Sequence, residues 1–543
     1  MSSKVAHYLQ QHLMGEVMTS SDALKYFSTD GSVLSVKPKI VVYPRNTSDV
    51  RKTARFTWQL AERGHVLPMT ARGKGTDQAG AALGEGIMMV FPAHMNKILE
   101  LDKNKATVQP GIIFSKLEQT LHTHGRFLPP YPSSVEFSTI GGAVANNAGG
   151  EKSYKYGKMS EYVDGLQVVL ANGELIRTGK LGKREVNKKK KQENFEGLIY
   201  RELEQLLIEN QETIDRAQLK VTKNSAGYAL GQIRNPKDGS MDLTPLFVGS
   251  QGTLGIVTQV ILKTEPYNPS TTLLAGFFDS LAEAEKAVAG LAETKPCSIE
   301  MVDSQLLDFV KKHHPEQLRG IMTEPHPQVV LLCEYDDVSD RTQKSKSKKA
   351  KKVMMEHATE FRMTRDEHEK ETLWKIRHAA SAVIWQSEDR KRALPIIEDG
   401  IVPPTKLEKY IDGATKIFEK HNLDAAFWGH AGDANMHMMP LLDIRSTGDR
   451  QKAFKIMEEY YKHVISLGGS TSGEHGDGRL RAPFLPFVYG KEMYALFEDV
   501  RELFDPHGTL NPGVKTGSQV KDLVPLLRKE YSIDHFYDHM PRG

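Results

Sequence analysis

The sequence predicts an α+β protein, and three observations carry that expectation. The chain has 543 residues, too many for one hydrophobic core, so two or more domains share it. In its first half, short apolar runs alternate with amphipathic stretches, which sets helices against a layered sheet. In its second half, the mixture of strand and helix signals suits an antiparallel sheet with helices on one face, an α+β unit. The expected divisions are a helical flank over 1–35, a first domain over 36–267, a second over 268–500 and a C-terminal segment over 501–543.

Each element has a local reason. After an amphipathic N-terminal helix, "PKIVVYP" (38–44) reads as a buried strand, and "NTSDVRKTARFTWQLAERG" (46–64) as a helix with polar caps at its start and a glycine stop. "HVLPMTARGKGT" is a second strand running into a glycine-rich loop; "GIMMVF", "ILEL" and "ATVQPG" are strands, followed by the helix "SKLEQTLHTHG". The stretch 129–150, "PPYPSSVEFSTIGGAVANNAGG", is poor in charge and rich in small residues, a composition expected to form little regular structure. "LFVGSQGTLGIVTQVILKTEP" (246–266) closes the first domain with a strand. Beyond it come a helix ("SLAEAEKAVAGLAET"), a strand ("QVVLLCEYDD"), a helical stretch containing "WKIRHAASAV", two strands joined by a turn and the long helix "QKAFKIMEEYYKHVISLGG". The tail "LFDPHGTLNPGVK" (503–515) has the proline and glycine chemistry of an ordered loop. Two lysine-rich stretches, "KREVNKKKKQ" (183–192) and "KSKSKKAKK" (344–352), are expected to be solvated loop insertions, because blocks of like charge repel.

Composition narrows the function classes. Hydrophobic content of 39% and charged content of 26% describe an ordinary globular chain, and 72 basic against 69 acidic residues give no support to a nucleic-acid surface. Two cysteines without a CxxC pair exclude a cysteine-held iron–sulfur cluster and a disulfide framework. No apolar run is long enough to span a bilayer, and the start has no secretory signature. The expectation is a cytoplasmic protein, with peripheral membrane contact left open.

Three glycine-rich segments stand out. "ARGKGTDQAG" (71–80) is neither a Walker A loop nor a Rossmann G-x-G-x-x-G, yet a strand ending in close glycines exposes successive amides suited to a pyrophosphate. With "STIGGAVANNAGG" and "GSQGTLGIVT" it suggests a long dinucleotide held mainly by backbone. A second constellation lies in "WGHAGDANMH" (428–437) and "SGEHGDGR" (472–479). His430 and His437 are an odd number of positions apart, so one straight strand would point them to opposite faces; the intervening turn allows two strands to reunite them. With Glu474 they make a two-histidine, one-carboxylate set suited to a first-row divalent ion. The alternative is a group of hydrogen-bonded polar residues around turns.

These motifs, "RGKGTDQAG", "PSSVEFSTIGGAVANNAGG" and "GSQGTLGIVT", resemble the PCMH-type FAD-binding domain of the vanillyl-alcohol oxidase superfamily. "HAGDANMH", "SGEHGDGR" and "NPGVK" are similar to its flavin-dependent D-2-hydroxy-acid dehydrogenases, over about 26–515. The resemblance implies a two-lobed FAD-binding domain, a substrate domain with an antiparallel sheet, and a C-terminal segment returning to the FAD domain. It sets Arg72, Gly73, Lys74, Gly75 and Thr76 against the pyrophosphate. Pro132, Ser133, Thr139, Gly141, Gly142 and Asn146 would flank the cofactor, Ile256 would meet the adenine side through its backbone and Asn511 the flavin edge. The first loop has no histidine and both cysteines lie outside the domain, so FAD is expected to be non-covalent. His430, His437 and Glu474 would hold a divalent metal, with zinc favoured. His475, kept neutral by the nearby dication, would accept the substrate's hydroxyl proton, and Arg377 would bind its carboxylate. Asn224 and Tyr228 fall where relatives place lining residues.

The substrate implied is a small D-2-hydroxy acid, D-lactate or glycolate. The hydroxyglutarate branch carries a lysine where "LPIIEDGIVP" has Ile396 and Ile397, and an asparagine where this chain has Met439. "IIEDGIVPP" also looks like the lactate and glycolate branch. Ala434 stands where a glycine is usual, a minor change unless φ is positive there. Electrons would leave for a separate acceptor: cytochrome, quinone, electron-transfer flavoprotein or iron–sulfur partner. Competing readings are D-2-hydroxyglutarate dehydrogenase, the alkyl-glycerone-phosphate synthase branch (which has adjacent histidines where this chain has "GEHG"), and a flavin-binding docking subunit without turnover.

Overall fold

The computed structural model describes residues 2–313, 327–385 and 391–532. The first sheet has the order β1-β2-β4-β3, with β1 Glu16–Met18, β2 Ile40–Tyr43, β3 Met69–Arg72 and β4 Ile87–Val90. β2, β4 and β3 run parallel, and both faces are covered. Ile40, Val42, Ile87 and Met89 pack in one core; Val41, Tyr43, Met88 and Val90 pack in another. That is why "IVVY" and "IMMV" are unbroken apolar runs. The helix Thr47–Glu62 between β2 and β3 starts where the Asn46 side chain accepts the Asp49 amide at 3.1 Å.

The second sheet is antiparallel, with the order β5-β6-β10-β8-β9: β5 Ile98–Leu101, β6 Lys105–Val108, β8 Val163–Val169, β9 Leu175–Arg177 and β10 Ile256–Lys263. β7 (Arg126–Phe127) and β11 (Glu265–Pro266) form a short separate pair. One buried face of the second sheet packs against the helices Phe114–Thr123, Ile140–Asn146 and Phe195–Glu209. The small-residue stretch is therefore partly regular. Thr139 caps Ile140–Asn146 by accepting the Gly142 amide at 3.1 Å, and glycines and alanines let that helix approach its neighbours closely. Met493, Leu496, Phe497 and Val500 of the Leu485–Phe504 helix join the same core, so the chain has returned to the first domain before residue 501.

The large sheet of the second domain has the order β15-β12-β14-β13-β18-β19-β16, with β17 also pairing with β19. Its strands are β12 Thr272–Phe278, β13 Ser298–Asp303, β14 Val329–Tyr335, β15 Glu360–Thr364, β16 Arg392–Ala393, β17 Gly400–Ile401, β18 Ala425–His430 and β19 Asn435–Leu442. The pairings are antiparallel, but helices cover both faces rather than one. Leu274, Ile299, Leu331 and Cys333 face the Leu281–Glu293 and Asp340–His357 side; Leu273, Val302, Val330 and Leu332 face Ser304–His313 and Glu367–Trp385. "TLLAGFF" and "VVLLCEY" are buried throughout, a continuous pattern that signals two covered faces.

The lysine-rich stretches are helical, not loops. Lys183–Lys190 buries Val186, and 344–352 lies within Asp340–His357, which buries Gln343, Ser347, Ala350 and Met354 at helical spacing. Lys189, Lys190 and Lys346 pair with Glu196, Glu204 and Asp337 at 2.6, 2.5 and 2.7 Å. Among the described residues no helix is long and apolar enough to cross a membrane.

Candidate active site

The three glycine-rich segments line one cavity of about 310 Å³. Arg72 ends β3, and Gly73, Lys74, Gly75 and Thr76 come from the loop after it; Pro132, Ser133, Thr139, Gly141, Gly142 and Asn146 come from the second segment; Ser250, Gln251 and Gly252 from the third. Asp77 shapes the first loop, accepting the Ala79 and Ala81 amides at 3.0 and 2.7 Å, while its Oδ1 accepts from Asn146 at 2.9 Å. Gln251 donates to the other side of Asn146 at 2.9 Å. The cavity wall has little room for side chains. A methyl group at Gly141 would lie 2.6 Å from Pro110 Cβ, and one at Gly73 would collide with Thr139 Oγ1. Gly75, at φ +77°, is in a conformation that favours glycine. Such a backbone-lined cradle fits a dinucleotide. Lys74 adds a positive charge beside it, lowered from its usual range by burial and by Arg72.

Arg72 lines the cavity, but its guanidinium is committed elsewhere, donating to Thr29 O at 2.7 Å and Ala82 O at 3.1 Å. Ile256 and Asn511 do not line it. Ile256 is in the core beneath, with Gly255 and Val257 at the wall. Asn511 is buried behind, donating to Ala81 O and Gln251 O at 2.8 and 2.9 Å. Tyr228 packs against Phe497 and bonds Thr253 at 2.6 Å; Asn224 donates to the Tyr489 hydroxyl at 2.6 Å. Tyr531, which sequence reasoning passed over, lines the cavity and donates to Gly31 O at 2.9 Å.

Glu474 and His475 also line the cavity. Behind them stands the β18–β19 hairpin. Trp428 pairs with His437 and His430 with Asn435, so the two histidines are diagonal neighbours on one face. The turn between them needs Ala434 at φ +52°, the left-handed region, so the alanine there is a strained substitute for glycine. His430 Nε2 lies 2.9 Å and His437 Nε2 3.5 Å from Glu474 Oε1. All three ligand atoms fall within 4.8 Å of one another, a spacing that one ion could bridge.

The remaining imidazole nitrogens face carboxylates. His430 Nδ1 meets Glu300 Oε1 at 2.7 Å, and Arg377 Nε holds the other oxygen of Glu300 at 2.8 Å. His437 Nδ1 and His475 Nδ1 both meet Glu398 Oε2, at 3.3 and 2.6 Å, and Arg481 holds its other oxygen. Lys223 Nζ lies 2.5 Å from Glu474 Oε2. Arg377 is thus neither a surface group nor a cavity-lining one; it is buried beside Glu300.

Electrostatics follow from these pairs. Burial opposes the charge on Glu474, but His430 and Lys223 hold it well below the usual carboxylate range. Burial opposes protonation of His430 and His475 too. Glu300 and Glu474 outweigh it and push His430 up to about 9; Glu398 and Asp399 do the same for His475, also up to about 9. The neutral His475 expected from the sequence therefore depends on a dication and does not arise from protein groups alone.

Sequence reasoning missed Lys223, Glu300, Glu398 and Arg481. Glu300 and Glu398 had a signal, a carboxylate inside the apolar runs "CSIEMV" and "PIIEDG", where an unpaired charge is costly. Lys223 and Arg481 had none beyond their place beside quoted motifs.

A backbone-lined cavity that suits a dinucleotide, with one histidine and one carboxylate of the cluster in its wall, defines the class, a dinucleotide-binding oxidoreductase. Two family models match the chain: an FAD binding domain over residues 38–179 and the C-terminal domain of FAD linked oxidases over 268–514. Glycolate oxidase subunit GlcD of Bacillus subtilis (strain 168) is 30% identical over 481 residues, 88% of each chain. The chain therefore belongs to the FAD-linked oxidase family. D-lactate dehydrogenase of Archaeoglobus fulgidus is 26% identical over 92% of this chain and 96% of its own. D-2-hydroxyglutarate dehydrogenase of Escherichia coli (strain K12) is 29% identical over 93% of this chain, which spans about half, 50%, of that longer protein. Among solved structures, 4-ethylphenol oxidase from Gulosibacter chungangensis superposes with a TM-score of 0.68 at 15% identity, covering 96% of this chain and 98% of that one. An alkyldihydroxyacetonephosphate synthase gives 0.61 at 16%, covering 94% of this chain and 84% of that one, a likeness of fold.

Proposed function

We propose that this protein oxidises a small D-2-hydroxy acid, D-lactate or glycolate, to the 2-oxo acid. FAD would sit non-covalently in the glycine-lined cavity, and a divalent metal, zinc favoured, would sit at His430, His437 and Glu474. The observation that carries the reading is the meeting of the two sites: Glu474 and His475 are at once the wall of the dinucleotide cavity and part of the histidine–carboxylate cluster. The names of the relatives, glycolate oxidase and D-lactate dehydrogenase, agree with it.

When bound, FAD supplies a two-electron acceptor for the C2 hydride, and the divalent ion supplies Lewis acidity at the hydroxyl. The chain supplies the rest. With Nδ1 facing Glu398 at 2.6 Å, His475 presents Nε2 to receive the hydroxyl proton. Arg377, buried beside Glu300 and outside the dinucleotide cavity, is proposed as the partner of the substrate carboxylate from the resemblance alone. The electrons would then pass to a separate acceptor, a cytochrome, quinone, electron-transfer flavoprotein or iron–sulfur partner. Cys333 is buried within β14 and Cys297 is buried just before β13.

A second reading, D-2-hydroxyglutarate oxidation, is favoured by the likeness to those dehydrogenases over 517 residues. Against it, Ile397 and Met439 are buried in apolar cores and offer nothing to a second carboxylate. The test is the anaerobic visible spectrum of the purified protein with D-lactate, glycolate, L-lactate and D-2-hydroxyglutarate in turn. Bleaching of oxidised flavin by D-lactate or glycolate supports the first reading; bleaching by D-2-hydroxyglutarate alone supports the second. A flavin that none of them reduces, even with zinc added, leaves only a docking subunit.

A further inference from the structure

The rings of His437 and His475 are parallel, inclined by 7° with centroids 5.0 Å apart. Both are strung between the same two carboxylates. At one end Glu398 Oε2 lies 2.6 Å from His475 Nδ1 and 3.3 Å from His437 Nδ1. At the other, Glu474 Oε1 lies 3.7 Å from His475 Nε2 and 3.5 Å from His437 Nε2. Glu398 is fully buried, and so is Arg481, which reaches its other oxygen and also donates to Gly476 O at 2.7 Å.

A buried carboxylate is an acceptor, so it selects the Nδ1–H tautomer in whatever imidazole it faces and leaves the Nε2 lone pair free. Here one carboxylate faces two imidazoles: His437 Nδ1 meets it in hydrogen-bond geometry at 3.3 Å, whereas His475 Nδ1 approaches to 2.6 Å off the N–H direction, a close charge contact. The structure assigns Glu398 the part of a shared positioning residue. It sets the tautomer of the metal-binding ring, His437, through a hydrogen bond, and the place of the proton-accepting ring, His475, through close contact with the same oxygen. This rests on the function proposed above and extends it, because metal affinity and proton transfer then depend on one group that touches neither metal nor substrate.

The same atoms admit another use. Glu398, His437 and His475 offer ligand atoms within 4.8 Å of one another, the spacing of a cation site. An ion there would take the Nδ1 atoms that face Glu398, and His437, whose Nε2 faces Glu474, would then have to hold an ion on both ring nitrogens, which a neutral imidazole with one lone pair does not do. Glu398 is an anchor for the two rings, not a ligand.

The experiment compares wild type with Glu398→Gln, Glu398→Asp and the double variant Glu398→Gln/Arg481→Leu. The double variant removes both members of the buried pair and so avoids an unpaired arginine if Glu398→Gln alone fails to fold. Two quantities are read on each: zinc affinity by competition with a chromophoric chelator, and kcat against KM at saturating zinc. Loss of this kind of outer carboxylate weakens metal binding about 10–100-fold, and that loss is expected in the double variant and in Glu398→Gln, accompanied by a fall in kcat larger than any rise in KM. Glu398→Asp is expected to recover part of both. A double variant with wild-type zinc affinity or wild-type kcat overturns the assignment, as does a second equivalent of tightly bound zinc in wild type. If wild type itself neither binds zinc nor turns over a 2-hydroxy acid, the proposed function fails first and takes this inference with it.

Discussion

Lys223 Nζ and Glu474 Oε2 are 2.5 Å apart, although 251 positions separate them in the chain. Both side chains are buried, so the ion pair fastens the 223–228 loop to the wall of the flavin cavity and leaves Glu474 Oε1 turned toward His430. Replacing Lys223 by Met strands a buried carboxylate. The expected loss is about 3 kcal/mol in the metal-free protein, and less once zinc is present. Thermal unfolding with and without zinc checks it. Equal losses in both would mean that no cation shares the Glu474 carboxylate.

The two histidine roles are separable. His437→Asn is expected to abolish tight zinc binding and activity together. His475→Asn is expected to keep both zinc and FAD while lowering kcat about 10²–10⁴-fold, the usual contribution of a positioned proton acceptor. Metal analysis of the purified variants beside steady-state kinetics distinguishes them. Removal of the metal from wild type by a chelator should reproduce the His437 phenotype and be reversed by adding zinc back.

The strained turn predicts a gain. Ala434 is held at φ +52° between β18 and β19, where a Cβ is unfavourable. Ala434→Gly should stabilise the protein by about 1 kcal/mol, read as a higher melting temperature with unchanged kcat. A lower melting temperature would show that the methyl group's packing outweighs the backbone strain.

The flavin cradle predicts a loss. A methyl group at Gly73 would collide with Thr139 Oγ1, the group that caps the Ile140–Asn146 helix. Gly73→Ala should therefore purify with less bound flavin than wild type, judged by the ratio of visible to ultraviolet absorbance. Full flavin content would show that the loop can shift without cost.

Asp30 predicts a pH dependence. Burial and the neighbouring Asp77 push its carboxyl up to about 7, against the lowering effect of Arg528. Its folded value lies above the unfolded one, near 4. The stability it contributes is thus complete below about pH 4 and lost as pH rises through about 7, by up to about 1.4 kcal/mol per unit. Asp30→Asn keeps an acceptor for the Ser32 amide and hydroxyl, which Asp30 Oδ1 now receives at 2.9 and 2.6 Å. Melting curves at pH 5 and pH 8 should show wild type losing stability relative to the variant. Parallel behaviour of the two would show that Asp30 is ionised across that range.

Much of the molecule was legible from local pattern. The strand–helix order, the three glycine-rich segments and the paired histidines all depend on residues close in sequence, and periodicity, backbone freedom and turn chemistry are local properties. Tertiary structure decided the rest. Whether His430 and His437 share a face depended on a turn that Ala434 closes against its preference. The lysine-rich stretches became helices because Val186 and Ala350 found cores to enter. Both faces of the large sheet were covered, which only the packing of distant helices could determine. Above all, the carboxylates that orient the histidines come from far away: Glu300 lies 130 positions from His430, and Glu398 lies 39 from His437. A charge in the sequence shows that a buried partner is needed; which partner it meets is fixed only when the chain has closed on itself.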